Sequence, residues 1–431
     1  MTRNVFVLGC DRFNLDQIKS ARAAEGCRFH ALTTYDEAKA GDEIPAEKLL
    51  DKARARLDAF DGSIDAILGW WDFPVSTLLP ILRREYGTPG PTLESTLRCE
   101  HKYWSRLEQS RSVPDHIPAF RLFDPDAPDP YSDLDLQHPF WIKPVKSVGS
   151  YLGFRIEDRD DFDAALAVIR QQIHRMAVPF DQVLSYADLP DEIAVADGRH
   201  CVAESIISDG RQVTLEGYVH DGEVHVYGVI ASIREGRHGS SFARYQYPSD
   251  VPSEVAEAMT DVVRRFLTHV GFGPSPFNAE FYWNEETDRI WMLEVNTRIS
   301  KSHAPLFQMV DGEYHHAVNL QLALGEAPEL PKGEGRFAVA AKFMPRRFED
   351  AVVTRVPTEE DVARVQRTYP RTLVEVHVHE GMRLSELKGQ DSYSYMLAEI
   401  HMGGDDEETL LANYDDAMEM LGFAFDEKET A

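Results

Sequence analysis

Residues Phe277–Ser300 read FNAEFYWNEETDRIWMLEVNTRIS. Two runs rich in aromatic and β-branched residues, Phe277–Trp283 and Arg289–Asn296, flank the turn-forming Asn284–Asp288, and the segment predicts a β-hairpin. The turn centres near Thr287, which sets Glu280 on one strand about opposite Glu294 on the other. Side chains alternate along a strand, so Glu294, Asn296 and Arg298 share a face if the strand persists, with Met292 on that face too. Two carboxylates, an amide oxygen and a guanidinium suit Mg²⁺ held together with water and phosphate oxygens. Like charges opposed on a sheet repel, so a cation is expected between them. The apolar run Ile290–Val295 predicts burial of Glu294, and a buried carboxylate needs a partner. A solvated pair of surface glutamates is the alternative reading.

Working upstream, Ile142–Phe154 reads IKPVKSVGSYLGF. A strand over Phe140–Val145 carries Lys143, and the small-residue turn Ser147–Gly153 follows Lys146. Lys146, Ser147, Gly149, Ser150 and Gly153 offer ammonium charge and backbone N–H groups to phosphates. The GxxxxGK order of a P-loop is absent, as is the strand–GxGxxG–helix order of a dinucleotide site. A flexible connector is the competing reading. Cys201–Ile207 reads CVAESII, with Glu204 inside a strand and Asp209–Gln212 after it. Its edge offers backbone groups to a flat base; an exposed acid on an ordinary strand is the alternative.

The chain start alternates strands and helices. Strands are expected at Asn4–Gly9, Phe29–Leu32 and Ile64–Gly69, with helices at Leu15–Glu25 and Ala46–Ala59, which predicts a parallel sheet. Trp70, Trp71 and Asp72 follow the third strand at the carboxyl end, where such sheets bind ligands. They read as substrate neighbours or as a plug against the next unit. A loop at Gly87–Pro91 precedes a helix over Leu93–Gln109, and the Pro/Asp-rich Phe123–Pro139 connects to a new unit. Further elements are helices at Asp160–Arg175 and Ser253–Val270, a hairpin of Gln212–His220 and Glu223–Ile233 about Asp221–Gly222, and an α+β segment from about Gly335.

Composition narrows the function classes. The 431 residues carry a formal net charge of −28, which disfavours nucleic acid and anionic lipid as partners. No apolar run approaches the roughly 18–20 residues of a membrane span, and the first residues lack a signal-peptide pattern. Cys10, Cys27, Cys99 and Cys201 form no CxxC pair and read as free thiols in a reducing cytosol, so a cytoplasmic protein is expected.

Taken in order, these pieces resemble the ATP-grasp superfamily over roughly Leu93–Gly325. The ending LEVNTRISKSHAPLF with Glu280 upstream is similar to the family's Glu…Glu-x-Asn-x-Arg metal and phosphate motif, and EHKYWSRLEQ to its helix bearing a nucleotide lysine, here Lys102. The resemblance implies a mixed α/β and α+β fold: a Rossmann-like domain over 1–92, an ATP-grasp domain over 93–330 with a mobile lobe at about 139–210, and a small α+β lobe over 331–431. It implies ATP with Mg²⁺ or Mn²⁺, the metal on Glu280, Glu294 and Asn296. Lys102, Lys143, Lys146, Ser147, Gly149, Ser150, Glu204, Ser205, Ile207 and Gln212 are implied nucleotide contacts, adenine being held through backbone atoms of Ser205 and Ile207. Arg298, Lys146 and Ser147 are implied in catalysis, and Arg298, Ser300, His303, Glu216 and Arg244 in substrate binding, with Gln390–Tyr395 as a further pocket or interface segment. The implied reaction joins a small carboxylate to an amine through an acyl phosphate, in a chain that forms homodimers as family members do. Biotin carboxylases of the family carry a glutamate where this chain has Ser302, which turns the reading towards amino-acid and dipeptide ligases. A non-catalytic nucleotide-binding regulator on the same fold is the third reading.

Overall fold

The first strand is paired on one side along its whole length and on the other over Val5–Val7. In the computed structural model, which describes residues 2–39, 44–148, 151–236, 239, 241–387 and 394–426, β1 (Arg3–Val7) lies between β2 (Cys27–Ala31) and β3 (Ala66–Leu68), parallel to both. Val5, Val7 and Leu68 enter one core cluster and Phe6, Leu8 and Ile67 another, since a parallel sheet is covered on both faces. Trp70 and Trp71, just past β3, both donate their indole N–H to Asp11 Oδ2, at 2.7 and 3.1 Å.

The helix expected over Leu93–Gln109 is two helices, Leu93–Glu100 and Lys102–Ser112. His101 (ψ 103°) leaves the helical backbone, and its Nδ1 accepts from the Trp104 N–H at 3.3 Å. The Lys102 N–H is thereby freed to bond the Val145 carbonyl at 2.8 Å. The break fixes Lys102 at a helix start, against the loop that follows the strand of Lys143.

A four-stranded antiparallel sheet holds that strand. Its members are β4 (Phe120–Phe123), β5 (Phe140–Pro144), β6 (Phe154–Ile156) and β7 (Cys201–Ser205), in the order β4–β7–β5–β6. The helix expected at Asp160–Arg175 stops at Gln172, and a second one, His174–Leu184, follows with Pro179 inside it. Met176, Phe180 and Val183 bury one face of this helix, and that burial outweighs the missing hydrogen bond at the proline.

The largest sheet is built on two hairpins. Its first six strands along the chain are β8 (Arg211–His220), β9 (Glu223–Glu235), β10 (Ser241–Tyr247), β11 (Ser275–Asn284), β12 (Arg289–Asn296) and β13 (Val339–Phe343). In space the order is β12–β11–β8–β9–β10–β13, continued by Ala398–Gly404 and Leu373–Val376. Three strands after residue 331, Val339–Phe343, Leu373–Val376 and Ala398–Gly404, therefore extend this sheet, while Arg346–Arg347 with Tyr395–Met396 and Val352–Arg355 with Ala424–Asp426 form two small sheets of their own. Asp221 and Gly222 both have positive φ, 49° and 78°, as a tight two-residue hairpin turn requires.

The helix Ser253–Val270 covers one face of this sheet. Met259, Val263, Phe266 and Val270 pack on Val213, Leu215, Phe277, Phe281, Met292 and Val295. Strand alternation then sends Gln212, Thr214, Glu216, Asn278 and Glu280 to the opposite face. A dry face under the helix and a polar face above it are what position the site.

Candidate active site

The hairpin register pairs Glu280 with Glu294 and then shifts, Phe281 pairing with Met292. A bulge at Leu293 absorbs the extra residue. This corrects two expectations. Met292 turns into the core with Phe281 rather than sharing a face with Glu294. The strand ends at Asn296, so Arg298 reaches the site from the turn beyond it. The Glu294 side chain is 37% exposed, and Glu280 is partly buried.

Burial, and then the facing Glu294, push Glu280 up to about 7. Gln212 donates Nε2–H to Glu280 Oε2 at 2.8 Å, while Arg234 Nε donates to Gln212 Oε1 at 2.7 Å. Gln212, expected among the nucleotide contacts, is buried beneath this carboxylate and orients it. Asn296 donates its amide N–H to Asn278 Oδ1 at 3.0 Å, which leaves its own Oδ1 as the atom for a cation. Among the described residues no three His, Cys, Asp or Glu side chains form a closed metal cage. Two carboxylates and an amide oxygen fit an ion that keeps water and phosphate ligands, as Mg²⁺ does.

Three lysines border this pair. Lys102 Nζ lies 3.9 Å from Glu294 Oε2 and donates to the Ser147 carbonyl at 3.2 Å. Lys143 Nζ is 2.7 Å from Glu204 Oε2. Lys146 Nζ is 2.7 Å from Glu100 Oε2 and 3.6 Å from Asp72 Oδ1. Gly149 and Ser150 lie outside the described residues, as do residues 390–393 of the Gln390–Tyr395 segment.

Glu204 is fully enclosed, and the exposed-acid alternative fails. Burial opposes its charge, but Arg106 and Lys143 outweigh burial and hold it at about 2. Arg106, which the sequence did not single out, bonds Glu204 Oε1 at 2.7 Å and the carbonyls of Met292 and Leu293 at 3.1 and 2.9 Å. One guanidinium thus ties β7 to the bulge that presents Glu294. The strand ends at Ser205, whose N–H donates to the Ala119 carbonyl at 2.9 Å, and Ile207 is buried just beyond it. Replacing Arg106 with Leu is expected to cost about 3–5 kcal/mol in urea unfolding, because Glu204 loses a buried partner. Adding Glu204→Gln should recover part of that loss.

Arg298 Nη2 is 2.7 Å from Asp72 Oδ2. Arg298, Asp72, Lys146 and Glu100 thus alternate in charge, and Thr297 and Ser76 donate to Glu100 at its end. Burial opposes the Asp72 charge, but Arg298 and Lys146 hold its carboxyl below the usual range. Glu100 is the second residue the sequence did not single out. Its one signal was its place in EHK, two residues before Lys102.

Of the five residues expected in substrate binding, Glu216, His303 and Ser300 meet. Glu216 Oε1 is 2.7 Å from His303 Nδ1, and the Ser300 N–H donates to Glu216 Oε2 at 3.4 Å. Burial pushes the Glu216 carboxyl well up and pulls the His303 imidazole down. Arg244 stands apart. Tyr245 packs on His303, and alternation puts Arg244 on the other face, paired with Glu407 at 2.9 Å.

Residues 136–304 match the ATP-grasp domain family. The chain carries an ATP-grasp domain. Solved structures of the same fold cover nearly its whole length. An L-amino acid ligase from Bacillus licheniformis aligns with a TM-score of 0.70 at 17% identity, over 99% of both chains. A carboxyaminoimidazole ribonucleotide synthase from Aspergillus clavatus, complexed with ATP, gives 0.65 at 14%, over 97% of this chain and 98% of that one. The biotin carboxylase domain dimer of Hydrogenobacter thermophilus 2-oxoglutarate carboxylase, with MgADP and bicarbonate, gives 0.61 at 15%, over 99% and 91%. A curated relative, the uncharacterized protein y4rH of Sinorhizobium fredii, is 32% identical over 107 residues. That match takes in 25% of this chain and spans 22% of the relative's length. The ATP-grasp fold expected from the hairpin and the lysine loop is the fold observed.

Proposed function

We propose that this chain is an ATP- and Mg²⁺-dependent carboxylate–amine ligase that forms ADP and phosphate through an acyl phosphate. The observation that carries the reading is the partly buried Glu280 facing Glu294, with Lys102 against Glu294 and Arg298 on Asp72 beside them. Two opposed carboxylates, one of them with a raised affinity for its proton, form a receptor for a divalent cation. Glu280, Glu294 and Asn296 would hold Mg²⁺, which supplies charge neutralisation at the ATP phosphates.

The protein's own groups then have separable tasks. Lys102, Lys143 and Lys146 bind phosphate oxygens, Lys143 and Lys146 exchanging carboxylate partners for phosphate. The loop from Ser147 to Gly153, in the unit from about 139 to 210, excludes water from a product that hydrolyses readily. Adenine lies at the end of β7, near Ser205 and Ile207. A substrate carboxylate oxygen attacks the γ-phosphorus and ADP departs; an amine then attacks the acyl carbon and phosphate departs. Arg298 steadies anionic oxygens in both transfers. Under this reading residues 1–92 and 331–431 complete the substrate side of the site, and the protein works in the cytoplasm. No helix among the described residues is long and apolar enough to cross a membrane.

Phosphate release from ATP, followed over paired amino acids with products identified by mass spectrometry and Glu294→Gln as control, tests the proposal. Amine-dependent release with a condensed product supports it. Release that requires biotin and bicarbonate would replace it with a carboxylation, and nucleotide binding without release over the whole panel would leave a regulator.

A further inference from the structure

A line of contacts crosses the large sheet from β10 to β11 and ends on Glu280. The register pairs Phe242 with Arg234, Ser232 with Gln212, and Gln212 with Tyr282. Side chains alternate along a strand, so Arg234, two residues from Ser232, and Glu280, two residues from Tyr282, share the face of Gln212. The Arg234 guanidinium lies over the Phe242 ring, 3.7 Å from its centre, and cation–π attraction steadies it there.

The surroundings of the Gln212 amide decide which way round it sits. A guanidinium can only donate, so the amide oxygen Oε1 faces Arg234 Nε, at 2.7 Å. The Tyr282 hydroxyl donates to the same oxygen at 3.2 Å. The NH2 end is thereby turned to Glu280 and donates to Oε2 at 2.8 Å. Gln212 and Tyr282 are both buried, which keeps solvent from competing for these bonds. Among the described residues Glu280 Oε1 accepts no hydrogen bond. One oxygen of the carboxylate is thus engaged by the protein and the other is left for a cation.

That inequality bears on which cation fits. Mg²⁺ demands a near-ideal octahedron at about 2.0–2.1 Å, whereas Ca²⁺ takes about six to eight oxygens at longer range and readily uses both oxygens of one carboxylate. We infer that Arg234 is a positioning residue which, through Gln212, presents a single oxygen of Glu280 and so selects Mg²⁺ over Ca²⁺. Tyr282 has a lesser share in the same lock. The inference deepens the ligase reading and rests on it for the metal role of Glu280. Arg234 also acts on Glu280 through space, opposing burial and the facing Glu294. Loss of that charge would alter the affinity for two divalent cations alike, as would competition from the proton. The ratio of the two affinities therefore reports geometry.

Mn²⁺ bound to the nucleotide-free protein, followed by electron paramagnetic resonance and displaced with Mg²⁺ or with Ca²⁺ at fixed pH, gives that ratio. The wild type should prefer Mg²⁺. Arg234→Met and Gln212→Met should each weaken Mg²⁺ binding about tenfold and Ca²⁺ binding less, so that the preference falls about fivefold. Adding Arg234→Met to Gln212→Met should lower the ratio no further, because the guanidinium works through the amide. Tyr282→Phe removes one hydroxyl and spares the packing; it should move the ratio the same way by a smaller factor, and it decides if the other variants do not fold. An unmoved ratio in the folded variants, a wild type without preference for Mg²⁺, or a second full loss in the double variant overturns the inference. Phosphate release over the amino-acid panel is read separately. A ratio that follows the variants without any condensation keeps the inference and overturns the ligase, and condensation with an unmoved ratio does the reverse. A wild type that binds no divalent cation overturns both.

Discussion

Glu280→Gln is expected to lower ATP-dependent turnover by about 10²–10³-fold while raising the melting temperature of the nucleotide-free protein. The two effects share one cause. Glu280 is partly buried opposite Glu294, and burial first, then the like charge, lift its carboxyl from the ordinary 4.5 to about 7. A group whose folded-state value lies above its unfolded one contributes stability that is complete below about 4.5 and lost as pH rises through about 7. At pH 8 the protein therefore holds two facing carboxylates that only a cation relieves. Glutamine keeps the shape and an oxygen for the Gln212 N–H and removes the repulsion, but it makes a poorer metal ligand. Mg²⁺ competes with the proton for Glu280, so the melting shift produced by Mg²⁺ should grow from pH 6 to pH 8 in the wild type. It should nearly vanish in the variant. Scanning fluorimetry at both pH values, with phosphate release alongside, checks both halves. A variant that keeps turnover, or melts lower than wild type, removes Glu280 from the metal role.

Arg298→Met is expected to cost about 10³-fold or more in kcat with ADP affinity within a few-fold of wild type. Guanidinium groups that stabilise the charge developing at a transferring phosphoryl group have effects of that order. Arg298 is placed for this by Asp72 at 2.7 Å, with its Nη1 donating to the Ile299 carbonyl at 3.3 Å. Lysine should not rescue, because a point charge cannot hold Asp72 and a second anion in the same fork. The variant also strands Asp72, which leaves a fold defect to separate from a chemical one. Arg298→Met combined with Asp72→Asn should regain unfolding stability without regaining turnover. If the double variant recovers both, Arg298 is structural.

The same residues show how far the sequence could be read. Glu280 and Glu294 were legible because hairpin pairing is arithmetic: the two positions lie symmetrically about Thr287, and the register pairs them. The Asp-Gly turn and the helix Ser253–Val270 were legible for the same reason, as local backbone preference and short-range periodicity need no distant partner. The ATP-grasp fold came from the resemblance of these pieces, taken in order, to that superfamily.

How the alternation runs past this pair was not legible. The bulge at Leu293 inverts it and sends Met292 to the core. Its position is held by Arg106, a residue 186 positions away from Met292 in sequence. The partners of Lys143 and Lys146, the buried Glu216–His303 contact and the Lys301–Trp71 contact are of the same kind. Each depends on which charge is brought beside which by strand order, and Coulomb energy in a low-dielectric interior turns on a few ångströms that spacing along the chain does not encode. The sequence by itself determined most of the elements and the facing acidic pair. Only the tertiary structure decided which charges are balanced and which are left for a ligand, because that balance is struck between residues the chain keeps far apart.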